Sequence, residues 1–248
     1  MDPVPTIHRF AAQVIGVRQL THDVRQIDLR LLDPPEIRFK AGQFVSFEVP
    51  DAKTGRTVTR PYSIASAPSS TGTISLLLNL VLHGPGSTYL FGLREGDRTT
   101  FAGPAGNFYL RDDPSRHLLL VATGTGIAPI RSMLLANAEH PSPNRTTLWW
   151  GLRSQRDVYY HDELKDLERG PGSSHAITLS RPEPGWAGAS GRVTTLVEQQ
   201  IQDVRQLAVY LCGNSAMIAD VTRLIQAKGL CPIFREKYYD DASETADW

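Results

Sequence analysis

The sequence predicts an antiparallel β-barrel domain followed by a parallel α/β domain, and three observations carry that prediction. Up to Asp113 the chain is a series of short, roughly alternating or β-branched runs separated by turn compositions. After Pro114, apolar runs alternate with helix-length segments to near the end of the chain. A length of 248 residues exceeds one small core and suits two modest ones.

In the first part, FAAQVIGVRQL, VRQIDLRLL, GQFVSFEVP, TVTRPYSIAS, TISLLLNLVL and GDRTTFAGP are strand candidates. DPPE, DAKTG, SSTG and HGPGS between them have turn compositions. STYLFGLREG is the helix candidate here, opening on a Ser-Thr cap and closing at Gly96. Several short strands with one helix point to a closed barrel.

In the second part, RHLLLVAT is a continuous apolar run of the kind buried on both faces of a parallel sheet. A glycine-rich turn and a helix at IAPIRSMLLANAEH follow it. TTLWWGLR, SSHAITLSR and LAVYLCG are further strands; HDELKDLERG, TTLVEQQIQD and SAMIADVTRLIQAKG are further helices. DDPS forms the seam, giving domains 1–113 and 114–248.

Composition excludes several classes. Lys plus Arg and Asp plus Glu are both 26, so there is no clustered basic excess for nucleic acid. Cys212 and Cys231 are the two cysteines, too few for a disulfide framework, a four-cysteine zinc site or an iron–sulfur cluster; no metal site is expected. MDPVPTIHRF lacks the features of a secretory signal. Leu76–Leu82 and Leu118–Ala122 fall far short of the ~20 apolar residues that cross a bilayer. A cytoplasmic protein with no membrane contact is expected.

Three segments carry chemistry. LLLVATGTGIAP sets Gly124 and Gly126 between a strand and a helix, where backbone amides can approach a phosphate. Glycines also serve purely structural βα turns, and Pro129 replaces the third glycine of the G-x-G-x-x-G fingerprint, which disfavours a standard Rossmann dehydrogenase. RPYS, Arg60 to Ser63, joins a guanidinium for phosphate to a flat ring and a hydroxyl. HGPGSTYL is a second glycine-rich entry into a helix.

With GPAGNF and LCGN these segments, in this order, resemble the ferredoxin–NADP reductase superfamily over essentially the whole chain. The resemblance implies a six-stranded antiparallel Greek-key FAD barrel followed by a five-stranded parallel NAD(P) sheet. It implies that Arg60 pairs with the FAD diphosphate, with Pro61 beside it, that Tyr62 lies against the isoalloxazine, and that Ser63 bonds near the hydride-accepting nitrogen. Leu80, Val81 and Leu82 run along the flavin, and Gly86, Ser87 and Thr88 hold phosphate.

For the nicotinamide nucleotide it implies Thr123, Gly124, Thr125 and Gly126 at the diphosphate, with Thr125 facing both cofactors. Cys212, with Gly213, Asn214 and Met217, sits beside the nicotinamide as a packing and positioning group. FREKYYDDASETADW resembles the ending of the bacterial reductases. Tyr238 is the candidate flavin lid, Tyr239 the second, and Glu236 the candidate for proton handling. Tyr239 or Trp248 is expected on the FAD adenine. Ser63, Cys212, Tyr238 and Glu236 are thus the catalytic candidates.

Arg153, Arg181 and Arg192 look like phosphate-binding arginines, which favours NADP(H), although PGWAGASG also resembles NADH-dependent oxygenase reductases and leaves NAD(H) open. The activity implied is hydride exchange between NADP(H) and FAD and single-electron exchange with a separate ferredoxin or flavodoxin. The alternatives are the NADH-dependent reductase component of a multicomponent oxygenase and a flavin-binding subunit of a larger redox complex. Arg38, Lys40, Lys53, Arg56, Arg94 and Arg98 are candidates for a basic face toward an acidic partner, and a monomer is expected.

Overall fold

A computed structural model describes residues 7–140, 144–168 and 172–237. Two compact units divide the chain: residues up to Leu110 with Arg131–Ala136, and the remainder from Arg111.

In the first unit β1 (His8–Gln19), β2 (Val24–Asp33), β3 (Phe44–Asp51), β4 (Arg56–Ser63) and β5 (Thr73–Asn79) precede α1 (Pro85–Gly92) and β6 (Arg98–Ala105). All pairings are antiparallel, in the order β4-β3-β6-β1-β2-β5. The two edge strands approach at one isolated bridge, Ile64 with Leu76, so the sheet curls toward a barrel. Alternation decides what lies inside: Val45, Phe47 and Val49 of β3 and Ile27, Leu29 and Leu31 of β2 share one core with Phe10 and Phe101. Stacking of Phe10 on Phe101, centroids 5.2 Å apart, adds aromatic packing to that apolar burial.

The helix differs from the expected one at both ends. It starts at Pro85, not at a Ser-Thr cap, and stops at Leu93, before Gly96. Proline suits the first helical position because its missing N–H has no intrahelical acceptor there. Ser87 is instead buried and used internally: its hydroxyl accepts the Val81 N–H at 3.1 Å and lies 3.1 Å from the Val81 and Gly84 carbonyls. The run TISLLLNLVL also ends as a strand at Asn79, leaving Leu80 and Leu82 45% and 80% exposed.

In the second unit β7 (His117–Thr123) leads through a 3-10 turn at Gly124–Gly126 into α2 (Ile127–Glu139), whose middle, Arg131–Ala136, is grouped with the first unit. Then come β8 (Thr146–Leu152), α3 (His161–Leu167), β9 (Ser173–Leu179), β10 (Ala189–Ser190), α4 (Val193–Gln200), β11 (Leu207–Gly213), α5 (Ser215–Lys228) and β12 (Ile233–Lys237). The sheet is parallel throughout, in the order β10-β9-β8-β7-β11-β12. Its sixth strand, against five expected, is β10, and two residues are too short to leave a periodic signal. Central β7 and β11 are buried at every residue between their ends, which is why they read as unbroken apolar runs. Among the described residues no helix is long and apolar enough to cross a membrane.

Candidate functional site

In the first unit RPYS ends edge strand β4. Side chains two apart share a strand face, so Arg60 and Tyr62 project together. Tyr62 sets its ring edge-on to Phe47, centroids 5.9 Å apart, which anchors it to the core, while exposed Arg60 donates to its neighbour's Thr59 carbonyl. Ser63 is buried. The first turn of α1 abuts this pair: a Cβ at Gly86 would lie 2.5 Å from Tyr62 Oη and 2.9 Å from Arg60 Cβ. Residues 60, 62 and 86 are thereby brought together, a guanidinium and an aromatic ring beside the amides that open a helix. That donor set fits a flavin dinucleotide. Thr88 is exposed beside it, and Arg38, Lys40, Lys53, Arg56, Arg94 and Arg98 are all exposed.

In the second unit the candidates collect where β7, β8, β9 and β11 end, the edge at which open parallel sheets bind ligands. Gly124 has φ +51°, and among the described residues nothing stands within 4 Å of where its Cβ would be, so the turn keeps an open side that fits a dinucleotide. Its carbonyl is held by three donors: the Ile127 N–H, Trp150 Nε1 at 3.0 Å and Tyr159 Oη at 3.3 Å. Trp150 is fully buried and packs edge-on against Tyr159. Neither was legible as a site residue, although a tryptophan inside an apolar strand always poses the question of which acceptor its N–H meets.

The turn after β7 interlocks with the turn after β11. Thr123 Oγ1 accepts from the Asn214 backbone N–H at 3.1 Å and lies 3.3 Å from Asn214 Nδ2. Asn214 Oδ1 in turn accepts the Met217 N–H at 2.7 Å and caps α5. Cys212 is fully buried; burial first and the nearby Glu236 carboxyl second push its thiol well above the ordinary range. It is therefore a protonated packing group and not a thiolate. Cys212 and Glu236 are register partners across β11 and β12. Glu236 keeps part of its side chain in solvent, but its Oε2 is buried without a hydrogen-bond partner among the described residues, and burial raises its carboxyl to about 7.

Arg153 and Arg181 follow neighbouring strands β8 and β9, joined by the Arg181 N–H on the Arg153 carbonyl at 2.7 Å. Arg192 follows β10 and stands at the N-cap of α4. Tyr238, Tyr239 and Trp248 lie outside the described residues.

Residues 11–109 match the family model described as the oxidoreductase FAD-binding domain, and residues 120–223 match the oxidoreductase NAD-binding domain. Ferredoxin–NADP reductase B of Sorangium cellulosum is 34% identical over 226 residues, covering 88% of this chain and 92% of that protein. The chain belongs to the ferredoxin–NADP reductase superfamily. As a member of it, the protein is an oxidoreductase that binds FAD and NAD(P)H.

Some other relatives are longer than this chain. The reductase component of the naphthalene 1,2-dioxygenase/salicylate 5-hydroxylase systems of a Ralstonia species is 31% identical over 221 residues, and the match spans 88% of this chain but 65% of that one. The crystal structure of an Amycolatopsis cytochrome P450 reductase aligns with TM-score 0.83 at 28% identity, covering 94% of this chain and 70% of that one. A ferredoxin NADP+ reductase from Neisseria gonorrhoeae, solved with FAD and NADP, has the same fold at 20% identity and TM-score 0.78, covering 95% of this chain and 100% of that chain.

Proposed function

We propose that this chain exchanges electrons between NADP(H) and a separate ferredoxin or flavodoxin, with residues 1–113 holding FAD and residues 114–248 the nicotinamide nucleotide. The observation that carries this is the match to a ferredoxin–NADP reductase along 92% of that protein's length. FAD, when bound, supplies the conversion between two-electron hydride chemistry and single-electron steps. The chain's own groups bind, orient and exclude water.

Arg60 and the Gly86–Thr88 turn grip the flavin diphosphate, while Tyr62 and Ser63 meet the ring system beside Pro61. Exposed Leu80 and Leu82, with Val81 between, provide apolar surface for a flat ligand to cover. The Gly124–Gly126 turn, Thr123 and the Gly213–Met217 segment receive the nicotinamide nucleotide, Thr125 lies toward both cofactors, and Cys212 fills space at the nicotinamide as a neutral thiol. Glu236 Oε2 takes up or releases a proton near neutral pH. Tyr238 covers the flavin, with Tyr239 or Trp248 toward the adenine. Exposed basic residues from Arg38 to Arg98 favour an acidic carrier. Two free cysteines suit a reducing cytoplasm.

Arg153, Arg181 and Arg192 support NADP(H), since a ribose phosphate wants several guanidinium groups. Turnover of a dye acceptor with each nucleotide tests this. The wild type is expected to favour NADPH by about tenfold or more, and Arg153→Ala with Arg181→Ala to bring the ratio near one. A wild type that prefers NADH would move the assignment to an oxygenase reductase component, the reading that the Ralstonia relative favours.

Holding the Gly124 carbonyl is a separate requirement. Tyr159→Phe is expected to cost about 1 kcal/mol of stability and to weaken nucleotide binding about threefold. Thermal melting and nucleotide titration read the two effects, and unchanged binding would assign the turn to Trp150 and the Ile127 N–H.

A further inference from the structure

We propose that Gln155 is a positioning residue for coenzyme selectivity, because its side chain locks the two arginine-bearing loops together. This rests on the reading that Arg153 and Arg181 grip a ribose phosphate. Strands β8 and β9 pair from Thr146 with Ser173 to Leu152 with Leu179. Two more backbone bonds extend the ladder, Ser180 N–H to the Leu152 carbonyl at 3.0 Å and Arg181 N–H to the Arg153 carbonyl at 2.7 Å. Beyond that point the chains part: one enters the capped turn Ser154–Asp157, and the other enters Pro182, which has no N–H to give.

Gln155 closes the gap. Its Nε2 donates to the Glu183 carbonyl at 2.8 Å, and its Oε1 accepts the Glu183 N–H at 2.8 Å. One side-chain amide thus satisfies both backbone groups of a single residue, standing in for the next peptide of the ladder. The anchoring side is itself held. Ser154 N–H and Oγ both donate to Asp157 Oδ2, at 2.9 and 2.8 Å, and the Gln155 carbonyl accepts the Val158 N–H at 3.1 Å. With the clamp in place, the Arg181–Glu183 segment is tied on both sides of Pro182. Without it, the segment loses both hydrogen bonds that join Glu183 to the β8 side beyond Arg181.

Selectivity follows from geometry. A planar guanidinium meets phosphate through two parallel N–H donors, so its grip depends on where its backbone stands. A loop that wanders by a fraction of an ångström loses phosphate contacts first, while contacts to the rest of the nucleotide, held by the turn after β7, are untouched. Gln155 therefore acts through Arg181 and bears on the phosphate alone.

Calorimetric titration of the FAD-loaded protein with adenosine 2′,5′-bisphosphate and with AMP tests this without relying on turnover. Gln155→Ala is expected to weaken bisphosphate binding about 5- to 10-fold and AMP binding less than about twofold. In an Arg181→Ala background the same substitution is expected to change bisphosphate binding by less than about twofold, because the group it positions is gone. Equal losses for both probes, or an undiminished loss in the Arg181→Ala background, would reduce Gln155 to general loop packing and overturn the proposal. A wild type that binds both probes alike would defeat the NADP reading and this proposal together. A discriminating wild type with an equally discriminating Gln155→Ala variant would defeat the Gln155 role alone.

Discussion

Alanine at Gly126 is expected to abolish nicotinamide-dependent reduction of the flavin while leaving the flavin bound. A Cβ there would lie 2.6 Å from the Cys212 carbonyl carbon and 2.8 Å from Gly213 Cα, and closest of all to the Cys212 carbonyl oxygen. All three are backbone atoms at the end of β11, so no side chain can swing aside. The strand itself is fixed by its pairing with β7, Cys212 opposite Ala122, and with β12. Relief must come from moving the whole turn after β7 away from the turn after β11, which breaks the Thr123–Asn214 hydrogen bonds that join them.

Crowding of that kind in a packed interior costs about 3 kcal/mol or more. If the cost falls on the nucleotide-competent arrangement, binding weakens by roughly a hundredfold. Gly124→Ala is the contrasting case: space is open, and the penalty of about 1 kcal/mol comes only from φ +51°. The rate of flavin bleaching by NAD(P)H, with the ratio of FAD to protein and the melting temperature, measures both variants. A Gly126→Ala protein that bleaches within a few-fold of wild type would show that the two turns are not tightly interlocked.

The contrast between those glycines also shows what was legible in the sequence. Gly124 and Gly126 could be placed between a strand and a helix because β7 is buried at every residue between its two ends and left an unbroken apolar run. Their different reasons for being glycine could not, since one depends on a torsion and the other on a strand more than eighty residues away. Periodicity was enough for the class of each half. It failed for β10, which is two residues long, for β12, which it did not mark as a strand, and for the limits of α1, where Pro85 outcompetes a serine whose hydroxyl the preceding loop uses.

At the site, the motifs RPYS and GPGST were visible separately, but the fit of Gly86 under Arg60 and Tyr62 appears only when α1 folds against β4. Trp150, Tyr159 and Gln155 left no signal for a related reason. Each acts on a backbone group, and backbone acceptors carry no sequence signature.

Glu236 is expected to make the protein lose stability as pH rises through neutrality, and Glu236→Gln to remove that slope. Burial lifts its carboxyl from 4.5 to about 7, with Oε2 finding no partner among the described residues to offset the desolvation. Between those two values the folded protein holds a proton that the unfolded chain has released. Stability is therefore greatest at the acid end of the window, falls as pH rises toward and through 7, and levels off above it. The full difference is about 3 kcal/mol, from roughly 1.4 kcal/mol for each unit. Cys212 does not share the transition, because its thiol is pushed further up and stays protonated across this range.

Other carboxylates act in the opposite direction and in a different window. Asp51, Asp113 and Asp203 are held low, chiefly by the Lys53 N–H, the Ser115 hydroxyl and the Arg205 guanidinium. Their contribution is lost on acidification below about pH 4, and it cancels when variant and wild type are compared. Chemical denaturation of the FAD-loaded proteins at about pH 5.5, 7 and 8.5 (inside the window, at its upper end and on the plateau above it) reads the difference directly. The variant is expected to gain on the wild type chiefly between about pH 5.5 and 7 and little beyond, since glutamine cannot ionise and fills nearly the same volume. Parallel curves would mean that Glu236 finds a partner or solvent in its ionised form, and its assignment as the group that takes up a proton near neutral pH would fall with them.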